Sequence, residues 1–246
     1  MTTLKWQELD RETLRELLPE ALVVLPIGAT EQHGPHLATG TDALLADLVA
    51  ERAIARVTDS PRPLILAPTI PVGASDHHLP FSGTLSLRVE TLLDLLLDLA
   101  RSVAACGGHR MVIVNGHGGN RGVCSAAAAA ASTRHDMAVA YLDYWSLIRG
   151  TEADAGEVNV PGHAGEFETS LVMAVDPALV RDRAERDIVP AQPAVDSVEI
   201  AVQSSWTVVQ GFTDDPSRAT AVQGQAWLDH LSVELSNRLV QLAKLL

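Results

Sequence analysis

Apolar side chains fall into two kinds of run along the chain. Four runs are short and almost continuously aliphatic, at residues 21–27, 63–67, 111–115 and 137–143. A stretch that brief, closed by a turn or polar residue, suits a strand buried on both faces of a parallel sheet. Other runs are longer and periodic. Thr41–Arg56, Val89–Ala105 and residues 121–134 have helical spacing, clearest where Leu92, Leu95, Leu96, Leu99 and Val103 mark one buried face. Residues 220–246 predict a further amphipathic helix, striped by Trp227, Leu231, Leu235, Leu239 and Leu242, and 169–175 a short one. Strand and helix alternate, which predicts an α/β fold: a mainly parallel sheet flanked by helices on both faces. Residues 150–166, rich in Gly, Asp, Asn and Pro, read as a long loop, and 187–216 as irregular with a short strand over 206–209. No repeat or linker interrupts the pattern, so residues 1–246 are read as one domain.

Composition narrows the class. Hydrophobic residues make up 47% of the 246 and charged ones 20%, too apolar a mixture for a disordered chain. The 18 basic and 31 acidic residues leave a formal net charge of −13, which argues against nucleic acid or an anionic membrane as partner. Two cysteines, Cys106 and Cys124, cannot build a disulfide framework or a thiolate zinc site. The acidic N-terminus lacks the order of a signal peptide, and no apolar run reaches the roughly 20 residues of a membrane span, so a cytoplasmic protein is expected. The nine histidines are the anomaly.

Six of them sit in polar segments near strand ends, where ligands of an open parallel sheet bind. The first segment is Glu31-Gln32-His33-Gly34-Pro35-His36, followed by Thr41-Asp42. The second is Gly73-Ala74-Ser75-Asp76-His77-His78, and the third Asn115-Gly116-His117-Gly118-Gly119-Asn120. The fourth, Gly162-His163-Ala164-Gly165, runs through Glu166 into Glu168-Thr169-Ser170. His109, His135 and His230 lie elsewhere and read as structural. Glu31 and His33 are two apart, so extended backbone projects them to one face. A turn through Gly34-Pro35 and Gly40 can return Asp42 to that face. One imidazole and two carboxylates, with a histidine from a neighbouring strand end, suit Zn, Mn or Fe, and Asp42 has oxygens enough to bridge two metals about 4 Å apart.

Each residue has a plainer reading when taken alone. Asp42 can be a helix cap, Glu31 an exposed loop residue, His117 a hydrogen-bonded core histidine and Glu168 part of a helix start. A different class also competes. The loop Gly116-His117-Gly118-Gly119-Asn120-Arg121-Gly122 opens a helix, and Asp143 closes the next strand about 20 residues on, as in a dinucleotide site. Its register fails, because Arg121 stands where the third glycine belongs, and it gives no use to Glu31, His33 and Asp42.

Together, and in this order along the chain, the four segments resemble the creatininase (creatinine amidohydrolase) family. Phe81-Ser82-Gly83-Thr84 extends the likeness. The resemblance implies an α/β enzyme that hydrolyses C–N bonds of amides with two divalent metals per subunit, Zn foremost, with Mn or Fe as alternatives. It also implies a small-molecule amide substrate and a homo-oligomer, a hexamer in many members. By position, Glu31, His33, Asp42 and His117 match metal ligands, with Asp42 as the bridge, and His163 matches the proton-transfer histidine. Ser75 falls where substrate is contacted, and His78, Gly118 and Trp145 are placed beside it.

The chain departs from a true creatininase in one place. Gly118 and Gly119 stand where that enzyme carries a Tyr and a metal-binding Glu. A second metal then needs another carboxylate: Glu168 is expected, with Glu166, also a candidate for catalysis, next. Branches with the glycine version include formamide hydrolases and a peptidase that trims a redox-cofactor precursor; a single-metal hydrolase is a further alternative.

Overall fold

The computed structural model describes residues 3–148, 158–183, 195, 198 and 200–246. Its sheet has five parallel strands: β1 (Leu4–Lys5), β2 (Leu22–Ile27), β3 (Leu64–Leu66), β4 (Arg110–Asn115) and β5 (Ala138–Asp143). Their spatial order is β1-β3-β2-β4-β5, which puts the wholly buried β2 at the centre. The helices are α1 (Arg11–Leu17), α2 (Thr41–Arg56), α3 (Val89–Ala105), α4 (Arg121–His135), α5 (Glu166–Val175), α6 (Gln203–Val208) and α7 (Ala221–Leu245). The four aliphatic runs thus become β2 to β5, with ends shifted by one residue or so.

Strand alternation sorts the core into two layers. Leu22 and Val24 of β2, with Val112 and Val114 of β4, face a layer built from α2, α5 and α7. Val23, Leu25 and Ile27, with Met111 and Ile113, face α3 and α4. Helices therefore cover both faces, as the short continuous runs required. Glycine sets one contact between helices. A side chain on Gly224 of α7 would collide with the Ser170 carbonyl of α5, and the Thr220 N–H donates to Ser170 Oγ at 3.1 Å.

Two elements escape the sequence pattern. Strand β1 has only two residues, and α1 buries none, so neither carries an apolar stripe. Helix α1 is marked instead by Asp10, whose carboxylate caps the N–H groups of Glu12 and Thr13 at 2.9 Å. The strand expected over 206–209 is not formed: Trp206 to Val208 belong to α6. Thr207, Val208 and Val209 have strand propensity, but propensity yields to context. Pairing among the described strands leaves this segment out, and it closes its hydrogen bonds locally, Val209 N–H to Ser205 C=O at 3.1 Å. Helix α5 starts at Glu166, three residues before the expected 169. Of the long loop 150–166, residues 150–157 lie outside the described residues, as does most of the first half of 187–216. Among the described residues no helix is long and apolar enough to cross a membrane.

Candidate metal centre

Every residue of the cluster comes from beyond the carboxyl end of a strand. Strand β2 leads into Glu31, Gln32 and His33, and α2 begins with Thr41 and Asp42, so the Asp42 carboxylate sits at a helix N-terminus that favours its charge. The β3 loop brings Ser75, His77 and His78, and the β4 loop brings His117. Helix α5 brings Glu168 in its first turn, just after His163. Asn120 ties these loops together. Its buried amide accepts from Ala74 N–H at 2.9 Å and donates to Gly28 C=O at 3.0 Å and Asn115 Oδ1 at 3.2 Å.

Glu31, His33, Asp42, His117, His163 and Glu168 are all buried and all converge. His33 Nε2 lies 3.0 Å from Asp42 Oδ1 and 3.8 Å from Glu168 Oε2. His117 Nδ1 lies 3.0 Å from Asp42 Oδ2 and 3.2 Å from Glu31 Oε1. Of four groupings able to hold an ion among the described residues, two share Asp42, His33–Asp42–Glu168 and Glu31–Asp42–His117, with its two oxygens divided between them; the others join Glu31 to His77 and His78 and to His33 and His163.

These donors fit a divalent metal on two observations. Both Glu31 oxygens and Asp42 Oδ2 are buried without a hydrogen-bond partner among the described residues, an arrangement that is costly for a carboxylate and that a bound cation relieves. The histidines are also oriented for it. His33 Nδ1 sits 3.1 Å from the Glu31 carbonyl, and His117 Nε2 sits 3.2 Å from the Ala74 carbonyl. A carbonyl oxygen only accepts, so those nitrogens carry hydrogens, and the opposite ones, His33 Nε2 and His117 Nδ1, face the carboxylates, where an ion would take the place of their second proton.

Electrostatics agree. Burial works against the Glu31 charge, but His117, His163 and His78 outweigh it and hold the carboxyl well below its usual range. Burial likewise opposes protonation of His33, yet Asp42, Glu168 and Glu31 raise it to about 10. Burial, only partly offset by His33, pushes Glu168 up to about 8. His163 is driven down to about 4 by burial and by His33, and His78 to about 2 by burial and by His163.

The remaining candidates divide. Trp145, Gly118 and His78 line the same cavity of about 520 Å³. Ser75 is fully buried behind it, its Oγ 3.2 Å from His117 Nε2, so it braces a candidate ligand. Glu166 does not join the cluster: its carboxylate pairs with Arg218 at 3.0 Å. Gly119 has no room for a side chain, whose first carbon would meet the Ala74 carbonyl and sit 2.5 Å from His117 Nε2, whereas Gly118 faces open space. The acid of the nucleotide reading, Asp143, is spent on Asn115 at 2.8 Å and Arg121 at 3.0 Å. Trp206 was missed altogether. It lines the cavity and packs on the rings of His78, His77 and His163 at 4.4, 5.2 and 5.5 Å. A lone tryptophan in an irregular polar stretch was the only signal for it.

Comparison with known proteins follows the same lines. The family model described as Creatininase: Creatinine amidohydrolase matches residues 2–239. The mycofactocin precursor peptide peptidase of Mycobacterium tuberculosis is 36% identical, over 82% of this chain and 78% of its own. The creatinine amidohydrolase of Pseudomonas putida is 30% identical, over 72% of each. A crystal structure of creatinine amidohydrolase superposes with a TM-score of 0.84 at 25% identity, covering 98% of both chains. Manganese and zinc–zinc forms of creatininase superpose with TM-scores of 0.83 at 24% identity.

Proposed function

The chain belongs to the creatininase family of metal-dependent hydrolases acting on C–N bonds, and from that premise we propose that it cleaves an amide at the cluster around Asp42. The observation that carries the reading is the pair of candidate ligand sets sharing Asp42, with three carboxylate oxygens that have no hydrogen-bond partner among the described residues. His33, Asp42 and Glu168 would hold one divalent ion, and Glu31, Asp42 and His117 a second. Zn or Mn, both held by solved relatives of this fold, suits these nitrogen and oxygen donors. Bound there, metal supplies Lewis acidity toward the amide carbonyl and lowers the pKa of water toward neutrality.

The protein's own residues do the rest. His163 turns Nδ1 toward the cluster, 3.5 Å from Glu31 Oε1, and is neutral at pH 7. It takes the proton that the attacking water loses and returns it to the leaving nitrogen. Trp145 and Trp206 wall the cavity and limit the water around the reacting bond. Glu168, in the place of a carboxylate at 119, completes the first ligand set.

A peptidase that trims a peptide precursor is the second reading. It is supported by the greater identity to the mycobacterial peptidase than to creatinine amidohydrolase, and by a Gly119 that this backbone requires. A homo-hexamer and a cytoplasmic setting complete the proposal; light scattering of the purified protein decides the first. Chelation is expected to abolish hydrolysis of a panel of formamides, cyclic ureides and short peptides, and zinc or manganese to restore it. Asp42→Ala should lose metal from both sets in elemental analysis, with activity gone. A fully active, metal-free Asp42→Ala protein overturns the proposal.

A further inference from the structure

Gln32 sits against two stacked histidines of the cavity wall, His78 and His163, and a count of hydrogens fixes what each presents. Gln32 Oε1 accepts from Gly34 N–H at 3.0 Å, and Nε2 donates to the Gly211 carbonyl at 2.5 Å. The amide cannot be reversed, because that would set its oxygen against a carbonyl oxygen and its NH₂ against an N–H. Nε2 has two hydrogens and three neighbours: Gly211 O, His78 Nδ1 at 2.8 Å and His163 Nε2 at 3.1 Å. His163 Nε2 also lies 2.9 Å from the main-chain oxygen of Gln32, which only accepts. That nitrogen therefore carries a hydrogen and cannot take one from the amide. The second amide hydrogen goes to His78 Nδ1, which leaves the hydrogen of a neutral His78 on Nε2.

We propose that Gln32 is a positioning residue that locks His78 and His163 in complementary roles, the first offering an N–H to the cavity and the second a bare nitrogen. The two rings stack at 4.3 Å and 19°. His78 Nε2 is buried, has no hydrogen-bond partner among the described residues, and lies 3.5 Å from Glu31 Oε1, the same distance as His163 Nδ1. Resting on the amide-hydrolase reading, the His78 N–H is a donor for the amide oxygen as charge builds on it, and His163 Nδ1 is the acceptor for the proton of the attacking water. Gly211 belongs to the device. Its φ is +80°, and a Cβ there would lie 2.6 Å from Gln32 Oε1, so a larger residue displaces the amide.

The test reads the tautomers directly. Two-bond nitrogen–proton spectra of zinc-loaded, ¹⁵N-histidine-labelled protein are assigned with His78→Ala and His163→Ala. Both rings are expected to carry hydrogen on Nε2 at pH 7; an Nδ1–H form of either overturns the proposal. Gln32→Met, which keeps the length without the donors, should give His78 mixed tautomers. On the fastest amide of the panel it should lower kcat about 10- to 100-fold, with KM within about twofold. Gln32→Glu, which sets an acceptor against Nδ1, should turn His78 to the Nδ1–H form. A His78 signal unmoved in both variants overturns the lock. Wild-type spectra as expected from a protein that cleaves no amide would sustain the lock and remove the hydrolase reading instead.

Discussion

His33 and Glu168 reach raised pKa values by opposite routes, carboxylates around a cation in one case and burial of an acid in the other, and both bear on the metal-free protein. His33 rises from 6.5 to about 10, so the stability it contributes is full below pH 6.5 and lost as pH climbs through 10. Glu168 rises from 4.5 to about 8, and its contribution is lost over that lower window. His163 and His78, depressed from 6.5 to about 4 and about 2, act the other way: their contribution is present above 6.5 and lost as pH falls through those values. The melting temperature of chelator-treated protein should therefore peak near neutrality and decline on both sides. A profile that rises steadily to pH 10 in differential scanning fluorimetry would contradict this. At this scale the convergence of side chains was readable where residue type and strand-end position coincide, as for Glu31, His33, Asp42 and His117. It could not separate Glu166 from Glu168, two acids in one helical turn. Positions two apart on a helix point about 200° away from each other, so one reaches the cluster and the other meets Arg218.

Among elements, Asn120 ties the strand-end loops to one another, beside backbone hydrogen bonds such as Gly116 N–H to the Ile27 carbonyl at 2.8 Å. Asn120→Ala would leave the buried Ala74 N–H and Gly28 carbonyl without partners, at about 1–3 kcal/mol each. We expect urea unfolding to show a loss of about 3 kcal/mol or more, with metal binding weakened as well. The central strands were legible because burial on both faces writes itself as an unbroken aliphatic run. Elements that bury little, such as α1, write nothing. Helix α6 misled because Thr207, Val208 and Val209 carry strand propensity in a segment that no described strand pairs. Its value to the site lies in Trp206, a contact between distant parts of the chain that no local pattern encodes.

For the molecule as a whole, an ion at the proposed sets would be a folding ligand. Without metal, protonated His33 and His117 balance the buried charges of Glu31 and Asp42, and an ion that takes their place at about 1,000 times its Kd would add about 4 kcal/mol to stability. For a chain of this size that is a rise of roughly 8–16 °C in melting temperature on zinc addition, reversed by chelator. An unchanged melting temperature would mean that the cluster holds no ion.

The contact at Gly224 reaches further than packing. Helix α7 rests directly on the backbone of α5, and α5 carries Glu168 less than a turn before the point of contact. Nothing elastic lies between them, so any residue with a side chain at 224 shifts the carboxylate along with the helix. The place of Glu168 is thereby set in part from a helix that gives the cluster no residue, and a substitution at 224, remote from the centre, is expected to displace that carboxylate while every residue of the cluster stays the same.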